Sequence, residues 1–219
     1  MSKLLSYFAE QIVEHSGSEK NPVLEVSMVS GSYMLNTQNG NYSFGSLHKI
    51  FEEAFYKARI RKKHFKNILV LGYGAGSVVH LLRNKYKQEG SIVAVEYDEK
   101  VLELGARYFN SDKYEAVKIV CADAYQFVME AKESYDLIVI DLYDDLDVPP
   151  QFETSDFISA VCSLLNPLGM LFFNKVVMNA EHKRAYKLAE AEYQKYGSSE
   201  TYVLMEMNYM LALTRTINE

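Results

Sequence analysis

From residue 67 onward the chain alternates between short, dense apolar runs and longer stretches with apolar residues every three or four positions. The dense runs are Ile68–Leu71, Ile92–Val95, Val117–Cys121, Leu137–Ile140 and Met170–Asn174. Runs of this length, rich in branched side chains, are what strands buried on both faces require. Between them, Ser77–Tyr86, Glu99–Phe109, Tyr125–Ala131 and Ser155–Leu165 have helical spacing, and Glu181–Tyr196 predicts a long, polar-faced helix. Tyr202–Met205 and Tyr209–Thr214 are separated by a tight turn, so they must pair antiparallel. The pattern predicts an α/β fold: a mostly parallel seven-stranded sheet, helices on both faces, and a C-terminal antiparallel hairpin.

The first 45 residues read differently. Leu4, Leu5, Phe8, Ile12 and Val13 share one face at helical spacing, predicting a helix over Lys3–His15. Ser16–Pro22 is a loop. Val23–Val29 alternates as a strand, Ser30-Gly31-Ser32 turns, and Tyr33–Thr37 returns as the second arm of a β-hairpin. Asn39-Gly40 marks another turn. Residues 1–45 are thus expected to form a small helix-plus-hairpin extension, and residues 46–219 the main domain. Ser46 is a candidate N-cap for a helix to about Ala58, with Leu47, Ile50, Phe51, Ala54 and Phe55 as its apolar stripe. The basic run from Arg59 to Lys66 reads as a solvated connection.

Composition narrows the class. A chain of 219 residues that is 48% hydrophobic and 24% charged is long enough to bury a core without staples. No apolar run reaches membrane-spanning length, and the acids and polar residues near the N-terminus argue against a signal peptide, so a cytoplasmic protein is expected. The net charge of −6 argues against nucleic acid as the main partner. Cys121 and Cys162 lie in apolar runs and are expected to be buried free thiols. His15, His64, His80 and His182 have no supporting pattern, and no spacing suggests a metal site.

Candidate chemistry collects where the first four main-sheet strands end. Ligands bind outside the carboxyl ends of such strands. Gly72-Tyr73-Gly74-Ala75-Gly76 follows the first and is a glycine turn able to approach a ligand closely; it lacks the Gly-Lys-Ser/Thr ending of a triphosphate loop. Glu96 closes the second strand, followed by Tyr97, and a carboxylate there can take both hydroxyls of a ribose. Asp123-Ala124 follows the third strand, where the acid could bind an adenine amino group, cap the next helix, or do both. Asp141 and Asp144 follow the fourth, spaced to point into one cavity and able to hold a cation or accept a proton, with Tyr143 between them as a candidate pocket wall. His48, early in the preceding helix, is a weaker candidate for substrate contact.

These motifs resemble the class I S-adenosylmethionine-dependent methyltransferase superfamily and, within it, the spermidine synthase branch. LGYGAG (Leu71–Gly76) resembles the glycine motif, VEYD (Val95–Asp98) the ribose-binding segment, ADA (Ala122–Ala124) the adenine-contacting motif, and YDLIVIDLYDD (Tyr135–Asp145) the stretch ending D-S-S-D-P. The resemblance implies a Rossmann-like methyltransferase fold. It also implies S-adenosylmethionine, or its decarboxylated form, held by Gly72, Tyr73, Gly74, Gly76, Glu96, Tyr97, Asp123, Ala124 and Asp141. Asp141 and Asp144 would be catalytic, Tyr143 and His48 would contact a small-molecule acceptor, and a homodimer would form through the N-terminal unit. In YSFGSLHK (Tyr42–Lys49) His48 matches the branch, whereas Leu47 and Lys49 depart from it. Ala75 stands where the branch has an aspartate facing the donor's amine, and Leu142-Tyr143 replaces its Ser-Ser. The loss of that acid removes a discrimination against the donor carboxylate. The leading expectation is therefore methyl transfer, with aminopropyl transfer as the alternative and a non-catalytic nucleoside-binding scaffold as a third reading.

Overall fold

The computed structural model describes residues 4–38, 40–144, 146–205 and 207–217. Asn39 of the expected Asn39-Gly40 turn and Asp145 of the acidic loop lie outside them. The N-terminal part is a four-stranded antiparallel sheet, in order β1 (Gln11–Ser16), β2 (Leu24–Val29), β3 (Ser32–Asn36), β4 (Asn41–Ser43). The Ser30-Gly31 turn is as expected, with both residues at positive φ (50° and 77°), the geometry of a two-residue hairpin loop.

The helix expected over Lys3–His15 is corrected. Its described part is a short 3-10 turn, Leu5–Tyr7, followed by β1, which pairs with β2. The first part of the apolar stripe stays in solvent: Leu4, Leu5 and Phe8 are 73%, 56% and 84% exposed. Branched Ile12-Val13 instead enters a ladder, where strand pairing satisfies the backbone.

The main sheet adds β5 (Asn67–Leu71), β6 (Ser91–Glu96), β7 (Val117–Cys121), β8 (Tyr135–Ile140), β9 (Leu165–Val176), β10 (Gly197–Leu204) and β11 (Asn208–Arg215). Their order is β10-β11-β9-β8-β5-β6-β7. β11 runs antiparallel to both neighbours, and the other pairings are parallel. The turn expected at Asn166–Gly169 is an irregularity inside β9: Tyr135 pairs with Leu165, but Leu137 pairs with Met170.

The sheet divides its side chains between two cores by the period-2 rule. Ile68, Val70, Leu137, Val139 and Phe172 face α1 (Gly45–Lys57) and α2 (Ser77–His80). Leu69, Leu71, Ile138, Ile140 and Phe173 face the cluster holding α5 (Ser155–Ser163) and α6 (Ala180–Tyr193). Between α2 and β6, Leu81–Lys85 widens into a π-helical turn closed by Tyr86 N–H to Leu81 O, 3.0 Å, where the sequence pattern predicts continuous helix. The Arg83 guanidinium there binds the carbonyls of Gln88 and Gly90.

A third cluster joins the N-terminal sheet to the main domain: Leu24, Val26 and Leu35 pack with Ala75 and with Val101 and Leu104 of α3 (Glu99–Phe109). Asp98 staples this contact. It caps α3 through Lys100 N–H (2.9 Å), and its other oxygen accepts from Ser18 Oγ and Asn21 Nδ2, both at 2.6 Å. Cys162 is buried as expected. Cys121 is corrected to exposed, because it sits at the last position of edge strand β7. No helix among the described residues is long and apolar enough to cross a membrane.

Candidate active site

Strand order reverses between β5 and β8, and the site lies outside their carboxyl ends. Gly72 leaves β5 at φ +85°, where a Cβ would sit 1.9 Å from the Asp141 carbonyl oxygen; only glycine fits. The N–H groups of Gly72 and Tyr73 bind the Val95 carbonyl at 3.0 and 2.9 Å, tying the turn to β6. Two adjoining cavities, of about 220 and 250 Å³, share Tyr42, Gly72, Glu96, Asp141 and Tyr143.

Glu96 is buried between them. It accepts N–H bonds from Gly74 (2.8 Å), Tyr97 (3.0 Å) and Asp98 (3.2 Å), and a longer contact from the Tyr42 hydroxyl (3.4 Å). Burial pushes its carboxyl up to about 7, and the three backbone donors pull the other way. Asp141 follows β8, its N–H donating to the Leu71 carbonyl at 2.8 Å. Burial raises it to about 7 as well; the Asn174 amide, 3.0 Å from Oδ1, favours the ionised form, and the charge of Glu96 opposes it. Asn208 donates to Asn174 Oδ1 at 3.2 Å, so β11, β9 and β8 form a relay that orients Asp141. The Tyr143 hydroxyl is buried and its pKa is raised well above the ordinary range, chiefly by that burial.

The expected residues divide between the two spaces. Tyr97, Asp123, Ala124 and Asp144 line the larger cavity, where Asp123 also caps α4 (Ala124–Glu130) through Gln126 N–H at 2.9 Å. Tyr73 and Gly74 line the smaller one. Asp141 and Tyr143 reach both. Asp144 is exposed and touches only the larger cavity, so among the described residues Asp141 is the one loop aspartate that lines both spaces. Three residues stand apart. Gly76 caps α2 at φ +93° against Tyr73 and Ser111, and lines neither cavity. His48 lines neither: its ring stacks on Phe44 (centroids 5.7 Å apart), and its Nδ1 lies 3.1 Å from Ser77 Oγ. Ala75 is buried in the third cluster with its N–H on Ser43 Oγ (3.1 Å), away from both cavities.

The sequence reading missed Tyr42, Ser43, Ser46, Asn174 and Asn208. Asn174 carried a signal, as a polar residue ending the apolar run of β9; Tyr42 and Asn208 arrive from elements remote in sequence. Among the described residues that line either cavity there is no lysine, arginine or histidine.

Residues 49–216 match the family model described as the spermine/spermidine synthase domain. A probable polyamine aminopropyl transferase of Bifidobacterium longum is 30% identical over 106 residues, covering 48% of this chain and 23% of that protein. A polyamine aminopropyltransferase of Saccharolobus solfataricus is 32% identical over 111 residues, 48% of this chain and 36% of that protein. The matched stretch thus spans only about a quarter to a third of the length of these curated relatives. The crystal structure of a probable spermidine synthase from Corynebacterium glutamicum superposes with TM-score 0.71 at 19% identity, covering 93% of this chain and 79% of that one, a likeness of fold. These findings overturn the leading expectation of methyl transfer: the family model and the named relatives are those of polyamine aminopropyltransferases.

Proposed function

The chain belongs to the spermine/spermidine synthase domain family, and on that premise we propose that it is a transferase moving an aminopropyl group from decarboxylated S-adenosylmethionine to a small amine. The larger cavity takes the nucleoside, with Glu96 on the ribose and Asp123 and Ala124 beside the base. The smaller cavity takes the aminopropyl arm and the acceptor. Residues 1–45 act as an extension that completes the site, since β4 carries Tyr42 to the wall between the cavities.

One observation carries this reading. The walls present the carboxylates of Glu96, Asp141 and Asp144 and no basic side chain among the described residues. A donor bearing an α-carboxylate would meet like charge without a cation to pair it, whereas a decarboxylated donor and a cationic amine meet opposite charge. In the reaction the acceptor nitrogen attacks the methylene carbon attached to the sulfonium. The C–N bond forms as the C–S bond breaks, and sulfur keeps the electron pair and leaves as a neutral thioether. Asp141 holds the amine by an N–H bond and accepts the proton the nitrogen sheds; a carboxyl near 7 suits that task. The donor is already activated, so the remaining contribution is positioning.

The test is incubation of the full chain with each donor and a mixture of amines, with products read by mass spectrometry. Methylthioadenosine from the decarboxylated donor is expected. S-adenosylhomocysteine from the carboxylated donor, or no product from the decarboxylated one, would overturn the proposal.

A further inference from the structure

Resting on that reading of the smaller cavity, we infer that the Ser77 hydroxyl, oriented by His48, receives the terminal ammonium of the donor's aminopropyl arm. Ser77 is buried and lines the smaller cavity. Its Oγ lies 3.1 Å from His48 Nδ1, and His48 itself lines neither cavity, so it is a positioning residue. A hydroxyl offers one proton and two lone pairs, so a bond to one imidazole nitrogen leaves capacity for a ligand. Burial holds both His48 and the neighbouring His80 below the ordinary histidine value, so both rings are neutral near pH 7. With its own proton on Nε2, His48 accepts the Ser77 proton at Nδ1. The serine then turns only lone pairs toward a ligand, which suits a cation.

The His48 ring is fixed for this task by its neighbours. It stacks on Phe44 at an interplanar angle of 12°, and Phe44 stacks in turn on Phe109 with centroids 4.8 Å apart. His80 meets Phe44 edge-on at 5.6 Å, and its Nδ1 lies 2.7 Å from the Tyr114 hydroxyl. Phe44 is held at φ 65° and ψ −160°, a backbone region open mainly to glycine. A residue with a Cβ persists there only where its surroundings impose it, and the ring that results is the wall on which His48 rests. The path of the donor points the same way. Gly74 N–H binds Glu96, the ribose acid, and Gly74 lines the smaller cavity. An arm leaving the ribose there follows the segment that carries Ser77 three residues on, whereas Asp141, after β8, keeps the acceptor nitrogen.

Three nucleosides isolate the ammonium contact: methylthioadenosine, 5′-propylthioadenosine and 5′-(3-aminopropyl)thioadenosine, each titrated calorimetrically into the full chain. The last two differ only by the amino group, so the ratio of their affinities reads the ammonium alone. Ser77→Ala is expected to reduce that ratio at least about tenfold, as for one hydrogen bond to a charged group, with methylthioadenosine affinity unchanged. His48→Phe keeps a ring against Phe44 but removes the accepting nitrogen, and is expected to reduce the ratio at least about threefold. A merely structural bond between Ser77 and His48 would weaken all three nucleosides together, or the fold, and leave the ratio as in the wild type; an unchanged ratio in either variant overturns the inference. If both ratios fall but the decarboxylated donor gives no product with any amine, the ammonium subsite stands and aminopropyl transfer fails. Failure of all three nucleosides to bind the wild-type chain overturns the nucleoside reading of the larger cavity and this inference with it.

Discussion

Replacing Asp141 by Asn tests the centre of the site through stability and activity together. In the folded chain without ligand its carboxyl is raised from the ordinary 3.8 to about 7. The sign follows from linkage: the native state holds a proton that the unfolded chain has released, so stability falls as pH rises from about 4 to about 7, and the loss is complete above 7. Between pH 5 and pH 8 the difference integrates to about 2.6 kcal/mol at 1.36 kcal/mol per unit. The side chain keeps partial contact with the open cavity, where water screens part of this, so about 2 kcal/mol is the figure to expect. Asn keeps the shape, does not titrate, and can still meet the Asn174 amide with its own carbonyl oxygen. Urea unfolding of the wild-type chain should therefore lose about 2 kcal/mol more between pH 5 and pH 8 than Asp141→Asn does. The same variant should lose at least about 100-fold in kcat with the decarboxylated donor, through loss of the proton acceptor. Parallel pH profiles for the two proteins would refute the buried-carboxylate argument, and retained kcat would refute the role of Asp141 in proton transfer.

Three further outcomes are expected. Tyr42→Phe removes the hydroxyl facing Glu96, and calorimetry with methylthioadenosine should read a loss of affinity of roughly 3- to 10-fold, as for one modest hydrogen bond; unchanged affinity would separate the N-terminal sheet from the site. Asp98→Ala removes a helix cap and both bonds to the Ser16–Pro22 loop, so unfolding should show a loss of about 3 kcal/mol, and limited proteolysis should cut that loop first. Gly72→Ala forces a methyl group onto the Asp141 carbonyl at φ +85° and should cost more than about 3 kcal/mol; a folded, fully active variant would refute the close approach of β5 and β8.

The corrections came from places where local pattern competes with long-range contact. The stripe from Leu4 to Val13 fits a helix, yet Leu4, Leu5, Phe8 and Ile12 are exposed, and β1 gains a ladder with β2 that sets Val13 against the third cluster instead. Ala75 took its weight in the sequence from its position in the glycine motif. In three dimensions it is buried in the cluster of Leu24, Val26, Leu35, Val101 and Leu104 and lines neither cavity. His48 likewise kept its place in a motif but turns its ring to Phe44 and Ser77.

Sequence alone determined the βαβ frame, the antiparallel C-terminal hairpin and the acids or glycines at four strand exits. Each of these depends on residues close together in the chain: the period of apolar positions, the glycines of one turn, the last residue of one strand. Tertiary structure alone decided which exits share a cavity and what completes it. Tyr42 comes from a separate sheet, Asn174 and Asn208 lie 34 residues apart on different strands, and Leu47 and Met207, 160 residues apart in the chain, line the same smaller cavity. Periodicity carries no record of such meetings, because they are set by strand order and by the packing of α1 and the N-terminal sheet on the main domain.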